Sequence, residues 1–307
     1  MNPLRGIGLK VLSVSVFVLM AVGIKATAHE VPPGQSVFFR SFFAIPVILV
    51  WLVWQGRLAR GLRTANPMGH LWRGLVGTTA MGLGFVALGL LPLPEATALG
   101  YAAPLLTVIF GAMFLGEEVR LFRLSAVAAG LVGVMIVLSP RFQISGVAEA
   151  SKLETVGAMA ALLGAVFAAL AQVFVRKLVT AEATATIVFY FSVTATALSL
   201  ATLPFGWAMP SARGFAILVG VGVLGGVGQI LLTESYRHAD VSVVAPFEYA
   251  SILLALALGY LLFDEVPTGT MLVGVGLIVA AGLVIIHRER KLGLERARAR
   301  RAVTPQG

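Results

Sequence analysis

Residues 94–119 read PEATALGYAAPLLTVIFGAMFLGEEV, and residues 240–266 read DVSVVAPFEYASILLALALGYLLFDEV. Both are apolar stretches with an aromatic residue near the start, and both close on an acidic pair before a valine. The pair is Glu117-Glu118 in the first stretch and Asp264-Glu265 in the second. A repeated unit constrains the architecture more than any other pattern. This one predicts two related halves, residues 1–145 and 150–290, with five helices in each.

The composition is that of a membrane protein. Hydrophobic residues make up 58% of the 307 residues and charged residues 12%, about half the share found in soluble domains. The mean hydropathy is +0.94. The chain has no cysteine, which excludes disulfides and thiolate metal sites. The sequence predicts neither a metal site nor a cofactor.

Ten segments are apolar enough to cross a bilayer, which takes about 17–25 helical residues. Each must be helical, because lipid offers backbone amides no hydrogen-bond partner. We therefore predict an all-α polytopic membrane protein with ten transmembrane helices. The predicted spans lie near residues 5–25, 35–55, 70–92, 95–116, 120–139, 154–176, 184–204, 214–236, 241–263 and 268–287.

The basic residues set the predicted orientation, because Lys and Arg collect in cytoplasmic loops. With a cytoplasmic N-terminus, 18 of the 23 Lys and Arg residues fall on the cytoplasmic side, and Arg40 is the one placed well inside a span. Both termini are then cytoplasmic. Five helices is an odd number, so the second half is inverted relative to the first. Many alternating-access carriers are built from such inverted repeats.

Much of the net charge of +9 comes from the C-terminus, where seven basic residues lie in the segment from Arg288 to Arg301. We predict that residues 291–307 form a basic cytoplasmic tail that lies on anionic lipid. The same distribution argues against nucleic-acid binding.

The N-terminus allows a second interpretation. Arg5, Lys10, the apolar run 11–24 and the segment Ala26-Thr27-Ala28 together imitate a secretory signal peptide with its cleavage site. Its removal would leave four helices in the first half against five in the second. We therefore favour a first transmembrane helix.

Two proline-interrupted helices at corresponding positions point to a transport site. Pro104 lies in the fourth predicted span and Pro246 in the ninth; such helices border transporter sites, although static kinks are also common. Tyr101 precedes Pro104, where it either lines the site or marks the membrane interface. Glu248 and Tyr249 follow Pro246. A carboxylate in a span costs about 2.5 kcal/mol or more unless it is paired or hydrated, so Glu248 is predicted to face an ammonium group or carry a proton, with structural pairing as the alternative.

Other polar residues inside spans are further candidates. Arg40 can receive a carboxylate or phosphate, or it snorkels to the surface or forms a structural salt bridge. Gln229, in the glycine-rich eighth span, is predicted to line the cavity. Thr79 in the third span and Phe167 in the sixth are weaker candidates of the same kind.

The acidic pairs at the helix exits have two interpretations. Glu118 and Glu265 are predicted to form a gate or a salt bridge to the opposing half. The alternative is a loop contact that defines the fold.

Enzyme motifs are absent. The sequence has no HExxH, Walker A or GxSxG motif, and its four histidines lie at helix ends or in loops. We predict that the protein is not an enzyme.

The double repeat resembles the EamA repeat of the drug/metabolite transporter superfamily. The resemblance rests on Phe38-Phe39-Arg40-Ser41, on the proline-containing fourth span that closes on Gly116-Glu117-Glu118, and on the last glycine-containing span. Within the superfamily the chain is most similar to bacterial ten-helix exporters, including amino-acid exporters of the YddG type. The resemblance implies an inner-membrane carrier whose central cavity places Thr79, Tyr101, Phe167, Gln229, Glu248 and Tyr249 near the substrate.

The resemblance also limits the mechanism. Small multidrug members use a glutamate in their first helix, and the first and sixth spans here lack one in the corresponding place. Phosphate-transporting members need buried basic residues, and Arg40 alone disfavours phosphorylated substrates.

The sequence therefore predicts a monomeric secondary transporter that exports amino acids or similar small metabolites by alternating access. The alternatives are an efflux carrier for drugs, vitamins or nucleosides, a channel, and a membrane enzyme or sensor. The expected partners are a small-molecule substrate and the lipid bilayer.

Overall fold

The computed structural model describes residues 3–56, 58–115, 121–142, 149–178, 181–238 and 245–303. These residues form helices joined by turns, with no strand among them, which confirms the all-α prediction. The helices are α1 (Pro3–Thr27), α2 (Pro33–Phe42), α3 (Ala44–Trp54), α4 (Leu58–Gly61), α5 (Pro67–Leu90), α6 (Leu93–Gly100), α7 (Ala102–Leu115), α8 (Leu121–Phe142), α9 (Glu149–Leu178), α10 (Thr184–Leu200), α11 (Ala212–His238), a 3₁₀ helix (Ala245–Tyr249), α12 (Ala250–Phe263) and α13 (Gly269–Val303).

The predicted spans fall on these helices, but not all of them are equally long. Six helical segments of the described chain have the length and hydropathy to cross a bilayer: Leu4–Thr27, Pro33–Trp54, Pro67–Leu90, Leu93–Gly111, Lys152–Val175 and Ala212–Ser235. Four shorter apolar helices cover the remaining predicted spans: Leu124–Ser139, Ala185–Leu200, Phe247–Phe263 and Gly269–Ile285. A helix of about 16 residues is about 24 Å long, less than the ~30 Å hydrocarbon core. The count of ten spans therefore stays a prediction.

Three predicted spans are interrupted rather than continuous. The second is split into α2 and α3, the fourth into α6 and α7, and the described part of the ninth begins with the 3₁₀ helix that contains Pro246. In both splits the first helix ends four residues before a proline, at Phe42 before Pro46 and at Gly100 before Pro104. Proline has no N–H to donate, and its ring clashes with the carbonyl four residues earlier. The helices therefore end where the prolines require it.

The first helix of each half packs along the third span of the other half. α1 lies along α11, and α9 lies along α5. The last helices of the halves, α8 and α13, pack against each other, and α10 contacts both α2 and α5. This reciprocal pairing is what inverted repeats produce.

α8 and α13 meet at a point where each helix has a glycine. A Cβ added to Gly133 of α8 would lie 2.8 Å from the carbonyl oxygen of Gly274 in α13. A Cβ added to Gly274 would lie 2.7 Å from the carbonyl oxygen of Gly133. Backbone atoms cannot rotate away as a flexible side chain can. Both positions therefore need glycine, as close helix crossings in membranes commonly do.

A junction between the halves lies at the start of α5. Glu182, between α9 and α10, accepts hydrogen bonds from the Thr64 hydroxyl at 2.5 Å and from the amides of Ala65 at 2.8 Å and Asn66 at 3.2 Å. Its carboxylate also lies 3.7 Å from Nε2 of the buried His70. Burial raises the pKa of Glu182, but these hydrogen bonds outweigh it and hold the pKa below its ordinary value. The loop before α5 is thus tied to the loop before α10.

The last helix continues into the basic tail. α13 runs without a break from Gly269 to Val303. The tail predicted at residues 291–307 is therefore a helical extension of the last apolar segment as far as residue 303.

We expect Gly274→Ala to destabilise the protein, because the new methyl group would press on the backbone of α8. Overpacking of this kind costs about 1–3 kcal/mol. The measurement is the melting temperature of the purified protein in detergent, which should fall by several degrees.

Gly276→Ala is the matched control on the same helix, since a Cβ at Gly276 would meet nothing within 4 Å. Equal melting temperatures for the two variants would contradict the close crossing.

Candidate functional site

Tyr101 and Tyr249 meet at two of the helix interruptions. Tyr101 lies in the turn between α6 and α7, and Tyr249 is the last residue of the 3₁₀ helix. Their ring centroids are 5.1 Å apart with an interplanar angle of 63°. The Tyr101 hydroxyl is hydrogen-bonded to Ser251 Oγ, which donates to the carbonyl oxygen of Glu248 at 2.7 Å. The two halves of the chain are thus joined by side chains at their interrupted helices.

Glu248 pairs with a basic residue from the first half of the chain. Nζ of Lys10, on α1, lies 3.4 Å from Oε2 of Glu248. The Lys10 side chain is 3% exposed and the Glu248 side chain 48% exposed. The carboxylate is therefore open to a ligand on one side while a buried ammonium group holds it on the other.

Sequence reasoning missed Lys10 because it was counted among the charges of the cytoplasmic end. The burial of Lys10 could have been inferred from its position seven residues after the start of α1, on the same helix face as Ser13 and Phe17. This face packs on α11, where Ser13 Oγ donates to the carbonyl oxygen of Gly228 at 2.9 Å. A basic residue on the packed face of a span is buried, whatever its distance from the chain terminus.

The other predicted cavity residues lie on other helices. Gln229 on α11 and Phe167 on α9 are half-buried, and Thr79 on α5 is exposed. The Thr79 hydroxyl donates to the Leu75 carbonyl oxygen of its own helix at 3.0 Å. The neighbouring Thr78 instead has a buried hydroxyl without a hydrogen-bond partner among the described residues. The contacts described above join Tyr101, Glu248 and Tyr249.

The residues predicted to be structural or gating are spread over the fold. Arg40 is buried in α2, 5.5 Å from the ring of Phe191. Pro104 lies exposed in α7, and Pro246 lies in the 3₁₀ helix. Glu118 lies outside the described residues.

Glu265 lies in a second charged contact between the halves. Its Oε1 is 2.8 Å from Nζ of Lys25 at the end of α1. Its Oε2 accepts a hydrogen bond from the Leu93 amide at 2.7 Å, and Lys25 donates to the Leu91 carbonyl oxygen at 2.6 Å. Both charged side chains are 14% exposed. One ion pair thus connects α1, the α5–α6 junction and the end of α12.

The turn that places Glu265 follows from the end of α12. Asp264 adopts a left-handed conformation with φ of 55°, and the Glu265 amide donates to the Gly259 carbonyl oxygen at 3.1 Å. This is the capping geometry that reverses a chain at a helix end. The reversal returns the Glu265 carboxylate toward α1.

Comparison with known proteins relates both halves of the chain to one family of transporters. The sequence matches the EamA-like transporter family twice, over residues 4–139 and 155–287. It is 30% identical over 287 residues to the pseudopaline exporter CntI of Pseudomonas aeruginosa (strain UCBPP-PA14), covering 93% of this chain and 97% of that protein. It is 28% identical over 257 residues to the S-adenosylmethionine uptake transporter of Rickettsia bellii (strain RML369-C), covering 84% of each.

Two further matches extend the comparison. The riboflavin transporter of Rhizobium johnstonii is 30% identical over 261 residues, covering 85% of this chain and 83% of that protein. A solved crystal structure superimposes with a TM-score of 0.66 at 23% identity, covering 91% of this chain and 96% of that one. This likeness supports the fold alone.

We expect Glu265→Gln to lower the melting temperature in detergent by several degrees, because the largely buried Lys25 ammonium group would lose its carboxylate. Leaving a buried charge unpaired is strongly destabilising. The matched control is Asp264→Asn, which removes the neighbouring exposed acid and keeps a residue that tolerates a positive φ. If both variants melt at the same temperature, the Lys25–Glu265 pair does not stabilise the contact between the halves.

Proposed function

This chain belongs to the EamA-like transporter family, and from that premise we propose that it exports amino acids or similar small zwitterionic metabolites by alternating access. The family and the named relatives are transporters, not enzymes. The helices make it a multi-pass membrane protein. Export, the amino-acid substrate class and the inner-membrane location with both termini cytoplasmic are parts of the proposal.

The observation that carries the substrate class is the Lys10–Glu248 pair. The two groups carry opposite charges, and Glu248 is 48% exposed. A zwitterion presents an ammonium group and a carboxylate on one small molecule. Its ammonium group would pair with Glu248 and its carboxylate with Lys10. A membrane interior penalises a buried charge that has no partner. Exchanging the Lys10–Glu248 pair for two pairs with the substrate leaves no such charge.

The depth of the pair supports a transport site. Lys10 lies seven residues after the start of α1, which places its Cα about 10 Å along the helix axis in a ~30 Å hydrocarbon core. Binding sites of inverted-repeat carriers lie near this depth, beside interrupted helices. The rings of Tyr101 and Tyr249 would contact the apolar part of the substrate.

The distribution of the contacts between the halves supports alternating access. Lys10 lies in the first half of α1 and Lys25 in its last turn, and each pairs with an acid of the second half of the chain. In the proposed cycle, the two pairs break and reform as one half rocks against the other. The substrate releases the Lys10–Glu248 pair, and the Lys25–Glu265 pair closes the opposite end of the path.

The relatives favour a second candidate, a carrier for a larger metabolite such as a vitamin. One relative is named as a riboflavin transporter. Another is named for uptake and a third for export, so direction is a separate question. The aromatic pair Tyr101–Tyr249 would then stack on a planar ring.

The direct test is counterflow in proteoliposomes that contain the purified full-length protein. Labelled amino acids are screened first, followed by riboflavin. Saturable exchange of amino acids, inhibited by the unlabelled compounds, would support the proposal. Exchange of riboflavin without exchange of any amino acid would replace it with the second candidate.

We expect Glu248→Gln to lower the melting temperature in detergent by several degrees, because the buried Lys10 ammonium group loses this carboxylate, and to reduce amino-acid exchange at least tenfold. The reason is that Gln keeps the shape of the side chain and loses the charge that attracts the ammonium group. Asp264→Asn, in an exposed turn, is the control and should exchange normally.

The double variant Lys10→Met with Glu248→Gln separates two roles of the carboxylate. If Glu248 only neutralises Lys10, removing both charges should restore exchange. If Glu248 binds the substrate, the double variant should stay inactive. Restored exchange would rule out the substrate-binding role.

A further inference from the structure

Two arginines converge on one aromatic ring inside the protein. Arg40 lies on α2 and Arg73 on α5, and their guanidinium carbons lie 5.5 Å and 4.0 Å from the ring centroid of Phe191 on α10. Arg40 is 3% exposed. Arg73 lies inside α5 (Pro67–Leu90).

Both arginines lie well inside their helices. Arg40 lies seven residues after the start of α2 and Arg73 six residues after the start of α5. Each Cα is therefore about 10 Å along its helix. The two guanidinium groups thus meet at the ring of Phe191, away from the starts of both helices.

Four nitrogens of the two guanidinium groups lack hydrogen-bond partners. Nε and Nη1 of both arginines are buried and have no partner among the described residues. The ring of Phe191 offers a cation–π contact, but one ring cannot accept hydrogen bonds from the six N–H groups on these nitrogens. Two neighbouring positive charges also repel each other. Buried donors left without acceptors are costly, most of all when they are charged.

Two glycines leave room for the arginine side chains, one on a neighbouring helix and one on the helix of Arg73 itself. A Cβ on Gly225 of α11 would lie 3.1 Å from Nε of Arg40. A Cβ on Gly77 of α5 would collide with Nη1 of Arg73. Glycines at these two positions allow the guanidinium groups to lie against the helix backbones.

We propose that Arg40, Arg73 and Phe191 form a subsite for an oxyanion, the carboxylate or phosphate group of a small organic anion. A carboxylate or phosphate would accept from several N–H groups of the two forks at once and neutralise both charges. With Arg40 as the single basic residue inside a span, the sequence disfavoured a phosphorylated ligand. The structure adds Arg73 as a second cation beside it.

This subsite is separate from the Lys10–Glu248 pair. Met20 of α1 lies beside Gly225, at the level of Arg40, and is ten residues from Lys10, which is about 15 Å along the helix. A single small amino acid does not span that distance. The oxyanion therefore belongs either to a longer, acidic substrate or to a separate small anion. Only the first source rests on the proposed function.

The first experiment measures binding without transport. The melting temperature of the purified full-length protein is recorded in citrate, in inorganic phosphate and in chloride at equal ionic strength. Citrate or phosphate should raise it by several degrees over chloride. Arg40→Gln and Arg73→Gln should each remove most of this rise, whereas Arg63→Gln, at an exposed position, should keep it.

A structural role for the arginines gives a different result. If they only pack on Phe191, both Gln variants should melt at lower temperatures in chloride and still respond to citrate or phosphate. If they form an empty anion site, losing one repelling charge should leave the melting temperature in chloride unchanged or raised. Lack of any rise in the unchanged protein, or loss of the rise in Arg63→Gln, would overturn the proposal.

Arg73→Lys is the second variant, in case one Gln variant does not fold. It keeps the charge and loses the planar fork, so it should keep part of the citrate or phosphate effect. A full effect in Arg73→Lys together with a full effect in Arg40→Gln would also overturn the proposal.

Counterflow separates the two sources of the anion. For a substrate group, the Gln variants should lose exchange of acidic amino acids such as glutamate more than exchange of neutral ones. For a separate anion, phosphate should change exchange rates without being exchanged itself. Absence of all exchange in a protein that still responds to citrate or phosphate would overturn the proposed function and leave the anion subsite standing.

Discussion

The absence of water in the bilayer core is the constraint on which this structure depends. Backbone amides there must find partners within the chain, so long helices are the default and every interruption needs a reason. At Phe42 and Gly100 the reason is a proline four residues later. The interruptions free backbone carbonyls in the interior, and the Glu248 carbonyl oxygen accepts from Ser251. Polar groups thus concentrate where the helices are already broken.

The same constraint governs the charged side chains. Lys10 and Lys25 of the first half meet Glu248 and Glu265 of the second. The described ion pairs inside the helical region therefore hold the halves to each other rather than stabilising either half alone. Exposed apolar side chains such as Trp54 and Leu121 face outward, where lipid accepts them. Arg40 and Arg73 are the exception within the described chain, because their buried N–H groups lack protein acceptors.

Hydropathy and the repeat were enough to predict the helical class and the two related halves, and the resemblance to the EamA repeat predicted the family. The lengths of single helices could not be predicted from hydropathy. The turns before Pro46 and Pro104 divide two spans whose hydropathy is continuous. Burial of single charges was missed where it depended on helix rotation. Lys10 and Arg73 lie close enough to helix starts to be counted with loops, yet each faces a neighbouring helix. Thr78 and Thr79 differ by one residue, which is about 100° of rotation on a helix and decides which hydroxyl is buried. Neither distinction is present in composition or spacing.

The backbone contact of Gly133 with Gly274 has a mechanical consequence for the proposed rocking of the halves. Where two helix backbones touch, neither can move closer to the other, so relative movement there becomes rotation about the contact. The crossing would then serve as a fulcrum, with the ends of α8 and α13 as lever arms. A small angle at the glycines would become a displacement that grows with distance along each helix. This close crossing would also be the point that moves least.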